Sequence, residues 1–150
     1  MNYVYLILSI VLCLSVGFTS GQLTSTQTEW FEELEKPSIY PPGYLFGIVW
    51  SILYLIMGIS LYLITQKTKQ LSYYVVFGTQ LVLNFFWTII FFRAQNIVLA
   101  LVEIVVLWFF IAWTIFLFYK KSKWAAYLLI PYILWVSFAT ILTLRIFMLN

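Results

Sequence analysis

The chain contains no histidine, and its single cysteine, Cys13, lies inside an apolar run. A lone cysteine cannot form an intramolecular disulfide, and the usual zinc sites and the serine–histidine or cysteine–histidine nucleophiles need residues that are missing here. We therefore expect no metal site and no resident cofactor. Any catalysis has to use the reactivity of the bound molecule itself.

Charged residues are also scarce, at 9% of the 150 residues, whereas 64% of the residues are hydrophobic and 21% are aromatic. A soluble domain of this length would need far more polar surface. The net charge of +3 is not gathered into a basic stripe, so nothing in the sequence indicates nucleic-acid binding. The composition indicates an integral membrane protein.

Apolar stretches long enough to cross a hydrocarbon core of roughly 30 Å recur along the chain. The connections between most of them are short, which requires antiparallel neighbours. The first stretch is as short as a secretory signal peptide, but no lysine or arginine precedes it, so we interpret it as a span. The predicted fold is all-α, a single five-helix transmembrane bundle with spans at about residues 3–19, 43–65, 73–92, 97–119 and 124–148.

The distribution of basic residues predicts the orientation of the bundle. The amino terminus shares one side with the second and fourth loops, which carry Lys67, Lys69, Lys120, Lys121 and Lys123. The opposite side carries Lys36, Arg93 and Arg145. Because cytoplasmic loops are enriched in basic residues, we expect a cytoplasmic amino terminus and a first loop outside the cell.

The first loop, residues 20–41, is the longest polar segment. Thr26 followed by Glu29 is typical of a capping box, and Pro37 disfavours further helix. Between them, three apolar side chains, Trp30, Phe31 and Leu34, lie on one side of the segment. Three glutamates lie on the other side. We expect a short amphipathic helix, which is either a solvated acidic turn with Trp30 in the interfacial belt or a lid whose aromatic side closes a pocket.

Aromatic and amide side chains inside the spans define a candidate ligand site. Tryptophans occur deep in three different spans: Trp50, Trp87 and Trp135. Helical spacing places two further sets on single faces: Phe46, Trp50 and Tyr54, and Gln80, Asn84 and Trp87. Aromatic walls with a few polar groups are typical of a cavity for a planar hydrophobic molecule. The alternative is that the tryptophans only fill space and that the amides join helices.

Glu103 is the only acidic residue inside a predicted span, which makes it a functional candidate. Arg145 lies within about two turns of the same membrane face, so a structural ion pair is one expectation. Coupling of proton movement to transport, as in a small multidrug exporter, is the other.

Several of these residues resemble the landmarks of the translocator-protein family, also called tryptophan-rich sensory proteins or peripheral-type benzodiazepine receptors. The matching motifs occur in order along the chain: Lys36-Pro37-Ser38, Pro41-Pro42, Trp50, Leu53-Tyr54, Met57-Gly58, Gln80 to Asn84 with Trp87, Ala100-Leu101-Val102-Glu103, and Pro131-Tyr132 through Trp135 to Thr140. The resemblance covers most of the chain from Trp30 to Ile141.

The resemblance implies a five-helix protein, often a homodimer, that binds porphyrins such as protoporphyrin IX and synthetic isoquinoline carboxamides beneath the first loop. It implies that Trp50, Tyr54, Asn84, Trp135 and Ala139 line the pocket, and our ligand-site hypothesis adds Phe46, Trp87, Trp30 and Pro41. The chain departs from the animal members at Thr143 and Leu144, where their sterol motif has asparagine and tyrosine. Specific cholesterol binding is therefore not expected, which suits a bacterial cell membrane.

Three functions follow as hypotheses. The first is a porphyrin-binding receptor or sensor that sequesters or moves its ligand. The second is light- and oxygen-dependent degradation of the bound porphyrin, in which Trp50 and Trp135 are the oxidisable side chains. The third is a proton-coupled exporter that depends on Glu103.

Overall fold

The computed structural model describes residues 3–24 and 28–150, and in these ranges five helices are long and apolar enough to cross a membrane. The elements are α1 (Tyr3–Gln22), α2 (Glu29–Glu33), α3 (Gly43–Thr65), α4 (Leu71–Thr88), α5 (Ile97–Lys121), α6 (Lys123–Leu128) and α7 (Ile130–Leu149). A π-helical turn, Ile89–Arg93, extends α4, and α6 and α7 together form the fifth span. The prediction of an all-α, five-helix membrane fold is confirmed.

The five spans form a closed ring whose order differs from the order in the sequence. Helix α1 packs on α3 and on α4, α5 packs on α4 and on the fifth span, and α6 packs on α3. Helices α1 and α3 approach closely because Gly58 on α3 has no side chain to keep them apart. The side chains inside the ring include Cys13, Met57, Ile111 and Phe118, all with 0% of their surface exposed.

The fifth span is interrupted where Pro131 predicts a kink. Helix α6 ends at Leu128, Leu129 is its C-cap, and α7 begins again at Ile130. Because proline has no backbone N–H, Pro131 cannot supply the hydrogen bond that would continue a regular helix through Leu128. On the α6 side of this break the fifth span is fixed to α3, since the Ser60 hydroxyl donates to the Ala125 carbonyl at 2.7 Å.

The short helix of the first loop is present, with a different cap from the predicted one. Thr28 is the N-cap of α2, and its hydroxyl accepts a hydrogen bond from the Phe31 N–H at 3.2 Å. The predicted cap, Thr26, and the adjoining Gln27 lie outside the described residues. We refer to residues 28–36 as the lid.

Candidate functional site

A chain of hydrogen bonds between buried side chains joins three spans in the middle of the bundle. The Tyr54 hydroxyl donates to Oδ1 of Asn84, and Nδ2 of Asn84 donates to the Tyr132 hydroxyl at 2.9 Å. That hydroxyl in turn donates to Oε1 of Gln80 at 2.7 Å. All four side chains are buried. Asn84 and Gln80 therefore have protein partners and fix α4 to α3 and α7, which is the joining role that the sequence left open for both.

Tyr132 is the member of this network for which the sequence predicted no role. Its side chain is fully buried, and it both accepts from Asn84 and donates to Gln80. The sequence did contain a signal for such a partner. An amide pair on one face of a membrane helix must find hydrogen-bond partners, and hydroxyl groups on neighbouring spans can both donate and accept.

Three aromatic side chains on two helices form what we call the aromatic site: Phe46, Trp50 and Trp135. The rings of Phe46 and Trp135 meet edge to face with centroids 5.6 Å apart. Trp50 lies one turn further along α3, 5.8 Å from the ring of Tyr54 and 6.3 Å from that of Tyr132. Through Trp50, the aromatic site contacts two members of the hydrogen-bond network, Tyr54 and Tyr132.

The lid covers the aromatic site through a row of ring contacts. Phe31 is buried and packs against Phe92 at 5.2 Å and against Tyr40 at 5.9 Å. Tyr40 continues the row to Phe46 at 5.4 Å, and burial raises the pKa of its phenol to about 12. The Lys36 ammonium donates to the Phe31 carbonyl at 2.7 Å and lies 4.4 Å from the Phe31 ring centroid. The amphipathic helix thus turns its aromatic side onto the bundle, which is the lid arrangement rather than the solvated turn.

Trp30 and Trp87 meet on a different ring, that of Phe91. Trp87 stacks on Phe91 at 5.3 Å, and Trp30 contacts the same ring edge to face at 5.7 Å. The π-helical turn carries Phe91, which the sequence analysis did not single out. These two tryptophans form a second cluster and make no ring contact with Trp50 or Trp135 among those observed in the described residues. Ala139 is buried in the main core, and Pro41 is half-buried just before α3.

Glu103 is 9% exposed, and neither of its carboxylate oxygens has a hydrogen-bond partner within residues 3–24 and 28–150. The expected ion pair with Arg145 does not form. On α7 the inward-facing side chains at this level are Leu142, Thr143 and Ile146, whereas Arg145 is exposed. A long basic side chain near the end of a span extends to the interface, where its charge is solvated.

Two indole N–H groups, like the Glu103 carboxylate, are buried without a hydrogen-bond partner in the described part of the chain. They are Nε1 of Trp87 and Nε1 of Trp135. Trp108 provides the contrast, since its Nε1 donates to the Ser137 hydroxyl at 2.8 Å. Buried donors without acceptors are rare in folded proteins, and they mark positions where a bound molecule can supply the acceptor.

The sequence was compared with known proteins. It matches the model of the TspO/MBR family over residues 9–149. It is 42% identical to the tryptophan-rich protein TspO of Chlorobaculum tepidum over 150 residues, which cover 97% of this chain and 95% of the relative. It is 32% identical to the tryptophan-rich sensory protein of Cereibacter sphaeroides, with 88% and 83% covered, and 36% identical to the human translocator protein, with 75% and 70% covered.

Proposed function

Because this chain belongs to the TspO/MBR family, we propose that it is a membrane receptor or sensor that binds porphyrins such as protoporphyrin IX in the aromatic site and sequesters or moves them. Isoquinoline carboxamides are the second class of ligand. The names of the relatives, one a sensory protein and one a translocator protein, support the coarser part of this function. The finer part depends on the chemistry of the site.

One observation carries the proposal: Phe46 and Trp135 approach from two different spans beneath the lid, with Trp50 one turn below. Exposed faces of such rings stack on large planar molecules, and each aromatic pair contributes about 0.5–1.5 kcal/mol beyond the burial of area. The N–H of Trp135, which has no acceptor in the part of the chain that the structure describes, can donate to an acceptor on the ligand, such as a carboxylate or an amide carbonyl. A planar, apolar ligand with a few polar groups fits both features.

Replacement of Trp50 and Trp135 by phenylalanine tests this function. We expect protoporphyrin IX to quench the indole emission of the wild-type protein, and the double variant to lose most of the quenching and to bind about tenfold more weakly, which corresponds to about 1.4 kcal/mol. The control is the double variant Trp113→Phe/Trp124→Phe, since these indoles are 50% and 72% exposed to the surroundings of the bundle. Unchanged affinity in the Trp50/Trp135 variant would place the ligand elsewhere.

The same proteins test the degradation hypothesis. If light and oxygen degrade the bound porphyrin through a step that needs an oxidisable indole beside it, illumination in air at matched occupancy should consume porphyrin more slowly in the Trp50/Trp135 variant than in the wild type. Equal rates of loss would make the protein a binder and not a catalyst. The homodimer, the lack of specific cholesterol binding and the cytoplasmic amino terminus stay predictions.

A second function, proton-coupled export, is favoured by the buried carboxyl of Glu103, which has no hydrogen-bond partner among residues 3–24 and 28–150. An acidic side chain inside a span is a common proton carrier in transporters. In vesicles with a pH gradient, the exporter requires substrate movement that disappears in Glu103→Gln. Movement that persists in this variant, or that never depends on the pH gradient, excludes this role.

The same variant also has an expected effect on stability. Since Glu103 forms no ion pair with any described residue, Glu103→Gln breaks none there and removes the cost of burying an ionisable group. We expect the melting temperature in detergent to stay the same or to rise. A marked fall would reveal a partner for the carboxyl.

A further inference from the structure

A groove lies between α3 and the fifth span, on the lid side of α6. Helix α3 packs closely on α6, where the Ser60 hydroxyl donates to the Ala125 carbonyl, and it has few backbone contacts with α7 beyond Leu129. The groove has a volume of about 430 Å³. Its lining comes from both helices: Val49, Ile52, Leu53, Ile56, Pro131, Leu134 and Trp135.

The groove faces the hydrocarbon of the bilayer. Ile52 is 52% exposed and Leu134 is 64% exposed on the outer surface of the ring, and the lining residues other than Trp135 have purely apolar side chains. Only a molecule dissolved in the membrane reaches such a surface, since water and charged solutes are excluded from it. The occupant must therefore be hydrophobic.

Trp135 belongs both to the groove and to the aromatic site. It lines the groove, and its ring contacts Phe46 of the aromatic site at 5.6 Å. Its N–H is buried without an acceptor among the described residues. A side chain in this position forms the wall between the two spaces, and a change of its rotamer would join them.

Two other parts of the described structure, the lid and a second cavity, are less suited to admit a ligand. From the water side the lid is held by the Lys36 and Phe31 contacts and by two hydrogen bonds between Glu35 and Asn150, at 3.0 and 3.2 Å. A second lipid-facing cavity, of about 260 Å³ between α5 and α7, is lined by Trp108 and Ser137. There the indole N–H is already bonded to the serine, so that cavity offers a ligand no free donor.

We propose that the groove between α3 and α7 admits planar hydrophobic ligands from the bilayer to the aromatic site, with Trp135 as the movable wall. The inference rests on the proposed function, because it concerns the path by which that ligand arrives. It assigns a role in access to Ile52, Ile56 and Leu134, which have none in the site itself.

The test is a matched pair of substitutions on two lipid-facing isoleucines. Ile52→Trp fills the groove, and Ile141→Trp places the same side chain in the second cavity, where the original residue is 51% exposed. Both variants are reconstituted in lipid nanodiscs and mixed with protoporphyrin IX that is delivered in liposomes. Porphyrin emission gives the association and dissociation rates, and a saturation titration gives Kd.

We expect Ile52→Trp to slow both association and dissociation at least tenfold while Kd changes less than threefold, because a blocked path affects both directions equally. Ile141→Trp should behave as the wild type, and Ile52→Ala, which widens the groove, should speed association. Wild-type rates in Ile52→Trp, with binding intact, overturn the path and leave the proposed function standing. Absence of saturable porphyrin binding in the wild type overturns both.

Discussion

Gly58→Ala should lower the stability of the bundle more than an alanine at the other helical glycines of α3 and α4. A Cβ atom at this position would lie 2.6 Å from Cα of Ile10 and 3.0 Å from its backbone nitrogen. A backbone atom cannot rotate away, so α1 has to move off α3. Overpacking of this kind costs about 1–3 kcal/mol, which exceeds the gain of about 1 kcal/mol that alanine brings to a helix.

The controls come from two glycines with open space around them. Nothing lies within 4 Å of a Cβ added at Gly47 or Gly78, so alanine at either position should leave the melting temperature in detergent unchanged or raise it. Gly58→Leu should lower the melting temperature further than Gly58→Ala does. If Gly58→Ala has the same melting temperature as the two control variants, α1 does not pack on α3 at this contact.

The second large effect is expected from Asn84→Leu. Leucine has a similar volume but cannot accept from Tyr54 or donate to Tyr132, so the buried Tyr54 hydroxyl loses the acceptor that Asn84 provides. Such a group costs about 1–3 kcal/mol, although hydrogen bonds between membrane helices often contribute less. The expected result is a lower melting temperature together with weaker porphyrin binding, since Tyr54 lies against Trp50.

This pair of readouts separates the two roles that the sequence allows for Asn84. Thr79→Val is the control on the same helix, because the Thr79 hydroxyl donates only to the Val75 carbonyl one turn earlier. A ligand contact at Asn84 would lower affinity and leave the melting temperature unchanged. If Asn84 joins the helices, Asn84→Leu lowers the melting temperature even without ligand. Tyr132→Phe, which removes the hydroxyl bonded to both Asn84 and Gln80, should then also lower it.

Local chemistry was sufficient to predict the spans and the amphipathic helix. Whether a stretch of chain enters a bilayer depends mainly on its own hydropathy and length, and a proline such as Pro131 interrupts a helix wherever the helix packs. The aromatic side of the lid could also be predicted from local sequence, since Trp30 and Phe31 lie four and three residues before Leu34 and such side chains share a face. The N-cap was harder to predict, because Thr28 lies close to other residues that commonly cap helices.

Contacts between spans could not be predicted in this way. Spacing placed Gln80 and Asn84 on one face but did not reveal that Tyr132, 48 residues after Asn84, lies between them in the network. Their positions within the predicted spans placed Glu103 and Arg145 near the same membrane face, yet the Glu103 side chain is buried and the Arg145 side chain is exposed. Depth in the membrane does not by itself predict an ion pair. Pairing also depends on the rotation of each helix about its axis, which is set by packing against the neighbouring helices.

The sequence by itself determined a membrane protein of five helices with a short amphipathic helix in its first loop, because hydropathy, helical periodicity and proline act within a few turns of chain. The tertiary structure alone decided that Trp135 joins Phe46 while Trp87 joins Trp30 at Phe91, that Glu103 has no partner in the described residues, and that a groove lies between α3 and α7. These features depend on the order of the helices in the ring and on the angle between them. Both are fixed by close packing at contacts such as Gly58 against Ile10, between residues far apart in the chain.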